Sequence, residues 1–215
     1  MHRHADRALV LAPHTDDAEL GAGGTIARLL EAGTALHVVV FSIATASVPA
    51  GLPPTTLRDE FLASAATYGL ADDAVTVLDY PVRHFPAHRQ EILEELVALR
   101  SRLRPDLVIA PASVDVHQDH RTVHTEAVRA FKGVTLWGYD LPWNDTDGFR
   151  AQVFVALTPE HLAAKRRALD AYRSQADRPY FAPGYVESLA RTRGVQVGFA
   201  LAEAFELVRA PWPLP

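Results

Sequence analysis

The stretch RALVLAPHTDDAELGAGG, residues 7–24, decides the fold. Its first six residues, Arg7–Ala12, form an almost unbroken apolar run, the pattern of a strand covered on both faces in a parallel sheet. A turn rich in His and Asp follows at once, then glycines, then a segment of helical period at 25–32. Further runs of Val, Ile and Leu at 35–42, 75–78 and 106–110 alternate with helical segments at 56–68 and 90–103, and the three helices are closed by Gly33, Gly69 and Pro105. This βαβ rhythm predicts a Rossmann-like, doubly wound α/β fold with a mainly parallel sheet, strand order 3-2-1-4-5 at its core and helices on both faces.

Beyond residue 110 the pattern gives a His-rich turn, a helix around 121–131, and strands at 134–139 and 152–157. A helix at 159–172 follows, with Thr158 as its N-cap, and the last forty residues read as helix and loop packed back on the sheet. With 215 residues and roughly 100–200 residues per domain, a single domain spanning 1–215 is expected. The segments 49–55 and 142–148, dense in Pro, Gly, Asn and Asp, are the best surface loops.

Hydrophobic residues at 48% and charged residues at 22% are ordinary globular usage, which argues against a disordered tail or a fibrous repeat. Lys plus Arg number 21 against 26 Asp plus Glu, so no phosphate-tracking surface and no nucleic-acid partner is expected. The start of the chain is too short and too charged for a signal peptide, and the apolar run 38–44 is too short to span a membrane. A cytoplasmic protein with no membrane insertion is the expectation. The absence of cysteine removes disulfides, thiolate nucleophiles and Cys-based metal sites, so any metal must sit on His, Asp or Glu.

The first strand runs into Pro13, His14, Thr15, Asp16 and Asp17, and the fourth into Asp115, Val116, His117, Gln118, Asp119 and His120. In order 3-2-1-4-5 these strands are neighbours at the switch point, where open α/β sheets bind ligands, so the two turns face each other. His14, Asp17 and His120 make a two-His, one-carboxylate set that suits Zn²⁺ with a position left open, and the same ligand types suit Fe²⁺. Asp16 stands beside them where a general base would take a proton from an activated water. His117 lies on the other rim, with Asp119 near enough in sequence to orient its ring and favour its charged form.

These two turns resemble the motifs of the PIG-L, or LmbE-like, metal-dependent N-deacetylases: a His-Pro-Asp-Asp turn leading to Gly-Gly, and a His-x-Asp-His turn. Weaker likeness extends to Arg58 with Glu60, to 137–139 with Pro142, Trp143 and Asn144, to Ser174 with Gln175, and to 202–205. The resemblance implies His14, Asp17 and His120 as ligands and Asp16 as base. It further implies that His117 stabilises the oxyanion or protonates the leaving amine, and that Arg58 contacts polar groups of the substrate. Thr15 replaces the family's usual proline, which puts the rigidity of the turn in question.

Alternative readings apply to several residues. His124, four residues after His120, is a rival ligand, although a helical His is more often structural. The His84 and His88 segment reads as a solvated loop or a substrate rim, and His2 with His4 as a frayed end. Gly21, Gly23 and Gly24 could cradle a pyrophosphate, but two carboxylates in the same turn would repel it, so they are read as packing glycines. Trp143 and Asn144 offer an aromatic face and an amide suited to a sugar ring, or ordinary loop packing. The implied partner is a small N-acetylated amino sugar or its conjugate, and a homo-oligomer is compatible. The alternatives are an amidase acting on another acyl amine or a thiol–sugar conjugate, and a module that binds sugar or nucleotide without turning it over.

Overall fold

A computed structural model of the chain describes residues 5–145 and 148–212, so His2 and His4 lie outside the described residues. In chain order the principal elements are β1 (Arg7–Ala12), α1 (Asp17–Glu31), β2 (Ala35–Val40), α2 (Thr56–Thr67), β3 (Val75–Val77), α3 (Arg89–Leu103) and β4 (Leu107–Pro111). They continue with α4 (Gln118–Ala130), β5 (Thr135–Tyr139), β6 (Val153–Ala156), α5 (Pro159–Leu169), α6 (Tyr185–Val195) and β7 (Ala202–Arg209). The strands form one mixed sheet in the order β3-β2-β1-β4-β5-β7-β6. The first five are parallel, as the apolar runs predict, and β7 runs antiparallel to both β5 and β6.

Strand side chains alternate between two cores because successive residues of a strand point to opposite faces. Ala8, Val10 and Ala12 of β1 join a cluster with residues of α1, α2, α5 and α6, whereas Leu9 and Leu11 join one built with α3 and α4. The C-terminal ends of β1 and β4 therefore emerge side by side, each leading into the N-terminus of a helix. Among the described residues no helix is long and apolar enough to cross a membrane.

Two expectations are corrected. Helix α1 starts at Asp17 and not at residue 25, so Gly21, Gly23 and Gly24 lie inside the helix. Glycine in a helix interior costs about 0.5–1 kcal/mol relative to Ala, and here close approach offsets that cost. A Cβ at position 21 would collide with the Tyr139 ring, and one at 24 with the Leu157 side chain. The segment read as helix and loop ends in β7, whose acidic residues masked a strand. Glu203 is buried, accepts from the backbone N–H groups of Gly24 (3.0 Å) and Thr25 (2.7 Å), and pairs with buried Lys165 at 2.7 Å.

Candidate active site

The β1–α1 turn is closed by the His14 N–H donating to Asp17 Oδ2 at 2.7 Å. Thr15 occupies the turn where a proline would fix φ, and its buried position is held instead by the Tyr172 hydroxyl donating to its carbonyl. Across the switch point His120 enters from the first turn of α4, so the two turns converge.

Three donor atoms meet there. Asp17 Oδ2 lies 3.3 Å from His14 Nδ1 and 3.2 Å from His120 Nε2, and the two nitrogens are 3.2 Å apart. Donors held at 2.0–2.1 Å around a tetrahedral cation stand about 3.3 Å apart, so this triangle fits a divalent metal with its fourth position open. The outer nitrogen of each imidazole meets a buried carboxylate: His14 Nε2 lies 3.0 Å from Asp119 Oδ2, and His120 Nδ1 2.7 Å from Asp115 Oδ2. Those contacts place the ring protons outward and leave the inner lone pairs aimed at the triangle.

The electrostatics agree with a cation. Burial disfavours charge on His120, but the negative charge of Asp17 and the hydrogen bond to Asp115 outweigh it and raise the ring to about 10. Burial likewise opposes charge on His14, and the contacts with Asp119 and Asp17 raise it despite that. Burial pushes Asp17 up, yet the charge and hydrogen bond of His120, reinforced by His14, hold it well below the usual carboxylate range. Asp16 differs. Burial and the adjacent charge of Asp17 raise it to about 6 against the lowering by His14, His120 and a backbone N–H, and among the described residues no ion pair engages its carboxylate, which lines the cavity.

His117 is the N-cap of α4, with its Nδ1 accepting from the Asp119 N–H at 3.2 Å. Its ring centroid is 4.9 Å from that of His14 and 4.8 Å from that of His120. The nitrogens of His14, His117 and His120 fall within 4.8 Å of one another, a looser set than the triangle containing Asp17, so His117 borders the centre. Asp119 reaches the His117 ring through its backbone and not through its carboxylate. Its fully buried carboxylate accepts from His14 and from the backbone N–H groups of Arg83 (2.6 Å) and Phe85 (3.2 Å), and only its own N–H reaches His117. Burial and the neighbouring charges of His120 and His14 lower the pKa of His117, against the opposite pull of Asp119 and Asp17. With Nδ1 accepting, the neutral ring carries its proton on Nε2 and is a donor.

The other candidates separate. Trp143 and Asn144 line the cavity; Arg58 is exposed on α2 and is not among the lining residues, although its neighbour Leu57 is. The ring of Trp143 is stacked on Tyr180 at 4.0 Å and 13°, which covers one of its faces. The side-chain amide of Asn144 donates to Asp115 Oδ2 at 3.3 Å and its backbone carbonyl accepts from the Val116 N–H at 3.1 Å, locking this loop to the second turn. His124 Nδ1 donates to the Pro111 carbonyl at 2.8 Å, and His88 pairs with Glu91, so neither joins the donor triangle. Sequence reading left Asp115 without a role, touched Gln175 only as weak likeness and Arg83 only as the start of a loop read as solvated or as a substrate rim, and missed Arg178 and Tyr180; the fold brings Arg83, Gln175, Arg178 and Tyr180 to a cavity of about 350 Å³. Only Asp115 carried a usable signal, as an acid within the second turn.

Comparison with known proteins follows the same lines. The family described as PIG-L: GlcNAc-PI de-N-acetylase matches residues 9–131, more than half of the chain. A conserved protein of Thermus thermophilus superposes with a TM-score of 0.78 at 26% identity, covering 98% of each chain. An N,N'-diacetylchitobiose deacetylase from Pyrococcus horikoshii gives 0.75 at 22% identity over 94% of this chain and 83% of the other. A 4-carboxy-2-hydroxymuconate hydratase from Pseudomonas putida gives 0.73 at 20% identity over 98% of this chain and 100% of the other.

Proposed function

The chain belongs to the PIG-L family, and from that premise we propose that it is a zinc-dependent hydrolase that removes an N-acetyl group from an amino sugar or amino-sugar conjugate. The observation that carries the reading is the meeting of the His14, Asp17 and His120 triangle and the carboxylate of Asp16, which makes no ion pair among the described residues, on one cavity. The fold also serves a hydratase, so the fold by itself does not choose the bond broken; the family match favours the amide. The same reading takes the cytoplasm as the place of reaction.

A cation held by His14, Asp17 and His120 supplies Lewis-acid activation of water and polarisation of the acyl carbonyl. Zn²⁺ fits the donor set, and Fe²⁺ is compatible with the same ligand types. Asp16 accepts a proton from the water as its oxygen bonds the acyl carbon. The Nε2–H of His117 donates to the carbonyl oxygen as charge gathers on it. Asp16, raised to about 6, then returns the proton to nitrogen as the C–N bond breaks, which yields acetate and a free amine.

The test is a screen of N-acetyl sugars for released acetate, with metal content measured on the same sample. Asp16→Asn should retain metal and substrate binding and lower turnover by roughly 10²–10⁴. Near-normal turnover in metal-loaded Asp16→Asn would place the base elsewhere, and absence of acetate from every N-acetyl sugar would overturn the substrate class.

A further inference from the structure

Arg83, in the loop after β3, and Arg178, just before the turn Pro179–Phe181, both line the cavity. Arginine ion pairs among the described residues are made by Arg89, Arg129, Arg166 and Arg193; neither cavity arginine forms one. The acids lining the cavity are Asp16 and Asp17, and the proposed reaction engages both. Arg83 is moreover held in place. Its backbone adopts the left-handed region, φ 72°, which favours glycine and which a bulky residue keeps only when its surroundings demand it. Here the demand comes from its N–H on Asp119 Oδ2, the oxygen that also meets His14, and its guanidinium reaches Ser47 Oγ at 3.3 Å on the same cavity. The backbone of Arg83 is thus anchored beside the donor triangle, and its exposed guanidinium lies on the same cavity without a counter-ion. Hydrolysing a neutral acetamido sugar requires no such charge.

We propose that the substrate carries, besides its N-acyl group, an anionic substituent, a carboxylate or phosphate, that is bound by Arg83 and Arg178. The proposal rests on the hydrolase reading for the N-acyl group and adds the class of its second group. Guanidinium suits either anion because its N–H groups match paired oxygens. The carboxylate of Asp16 would repel the same anion, so the substituent is steered away from the base and orients the acetamide toward it. Both arginines are exposed, so solvent screening limits the preference to about tenfold.

The experiment compares N-acetylglucosamine with its 6-phosphate and with N-acetylmuramic acid, which bears a carboxylate. The zinc-loaded protein is followed by amine release and, in parallel, by calorimetric binding. At least one anionic sugar should exceed the neutral parent about tenfold in kcat/KM or affinity, and which one does so separates phosphate from carboxylate. Arg83→Gln and Arg178→Gln should each lower the anionic-to-neutral preference several-fold. Equal treatment of all three sugars in both measurements overturns the proposal, as does an unchanged preference in either variant. If no sugar releases amine but the anionic one binds in an arginine-dependent way, the anion site stands and the hydrolytic reading fails.

Discussion

Asp115 shows how a single residue can govern a centre it does not enter. Its Oδ2 holds the outer nitrogen of His120 while its Oδ1 accepts from the His117 N–H at 2.8 Å, so one carboxylate sets the orientation of two imidazole-bearing residues. Asp115→Asn should weaken cation binding by about 10–100-fold, read by chelator competition; an unchanged dissociation constant would remove Asp115 from this role. Asp16 predicts the pH dependence. Its carboxylate must be ionised to accept a proton, so the rate is full above its pKa and falls as pH drops through it. Burial and Asp17 raise that value to about 6, and a nearby cation favours the charged form, which moves it down. The acid limb of the kcat/KM profile should therefore lie at or below about pH 6, and a limb above neutrality would contradict the assignment. At this scale His14, Asp16, Asp17, His117 and His120 were legible because their turns follow apolar strands. The meeting of Arg83 with Arg178 was not, because only folding brings their loops to one cavity.

At the scale of elements, the five parallel strands were legible because each is an apolar run closed by a turn. The Thr158 cap was legible as well: its hydroxyl accepts from the His161 N–H at 3.3 Å, and His161 Nδ1 accepts from the Thr158 N–H at 3.1 Å, a reciprocal cap. The start of α1 was not, because three glycines look locally like a turn and only the facing Tyr139, Lys165 and Leu157 explain them. Gly21→Ala makes that explanation testable. The added methyl would meet the ring of Tyr139, a fully buried side chain whose hydroxyl donates to the Leu11 carbonyl at 3.1 Å. Despite the better helix propensity of Ala, the variant should lose about 1–3 kcal/mol in denaturant unfolding. A gain in stability would show that the helix can shift freely.

For the whole molecule, Glu203 ties the late strand β7 to the first helix. It satisfies two N–H groups of α1 and neutralises Lys165, whose Nζ also donates to the Leu20 carbonyl at 2.8 Å. Glu203→Gln keeps an acceptor but leaves the ammonium buried without its counter-charge, and about 3–5 kcal/mol of stability should be lost. Thermal unfolding of the metal-loaded protein would measure it, and a melting temperature equal to the wild type would mean that Lys165 finds another partner. This tie was illegible in the sequence because a glutamate in a strand reads as a solvent-facing residue until its partner is known.

The position of β7 between β5 and β6 also orders events during synthesis. Strands β1 to β5 and both polar turns lie within residues 7–139, so the ribosome releases the pieces of the proposed centre before it releases residues 202–209. For an interval on the order of seconds at ordinary elongation rates, the flank of β5 that β7 will occupy stands open on the nascent chain. An open flank of this kind is a template for pairing with another chain. Premature termination before residue 202 should therefore yield a product that aggregates through β5.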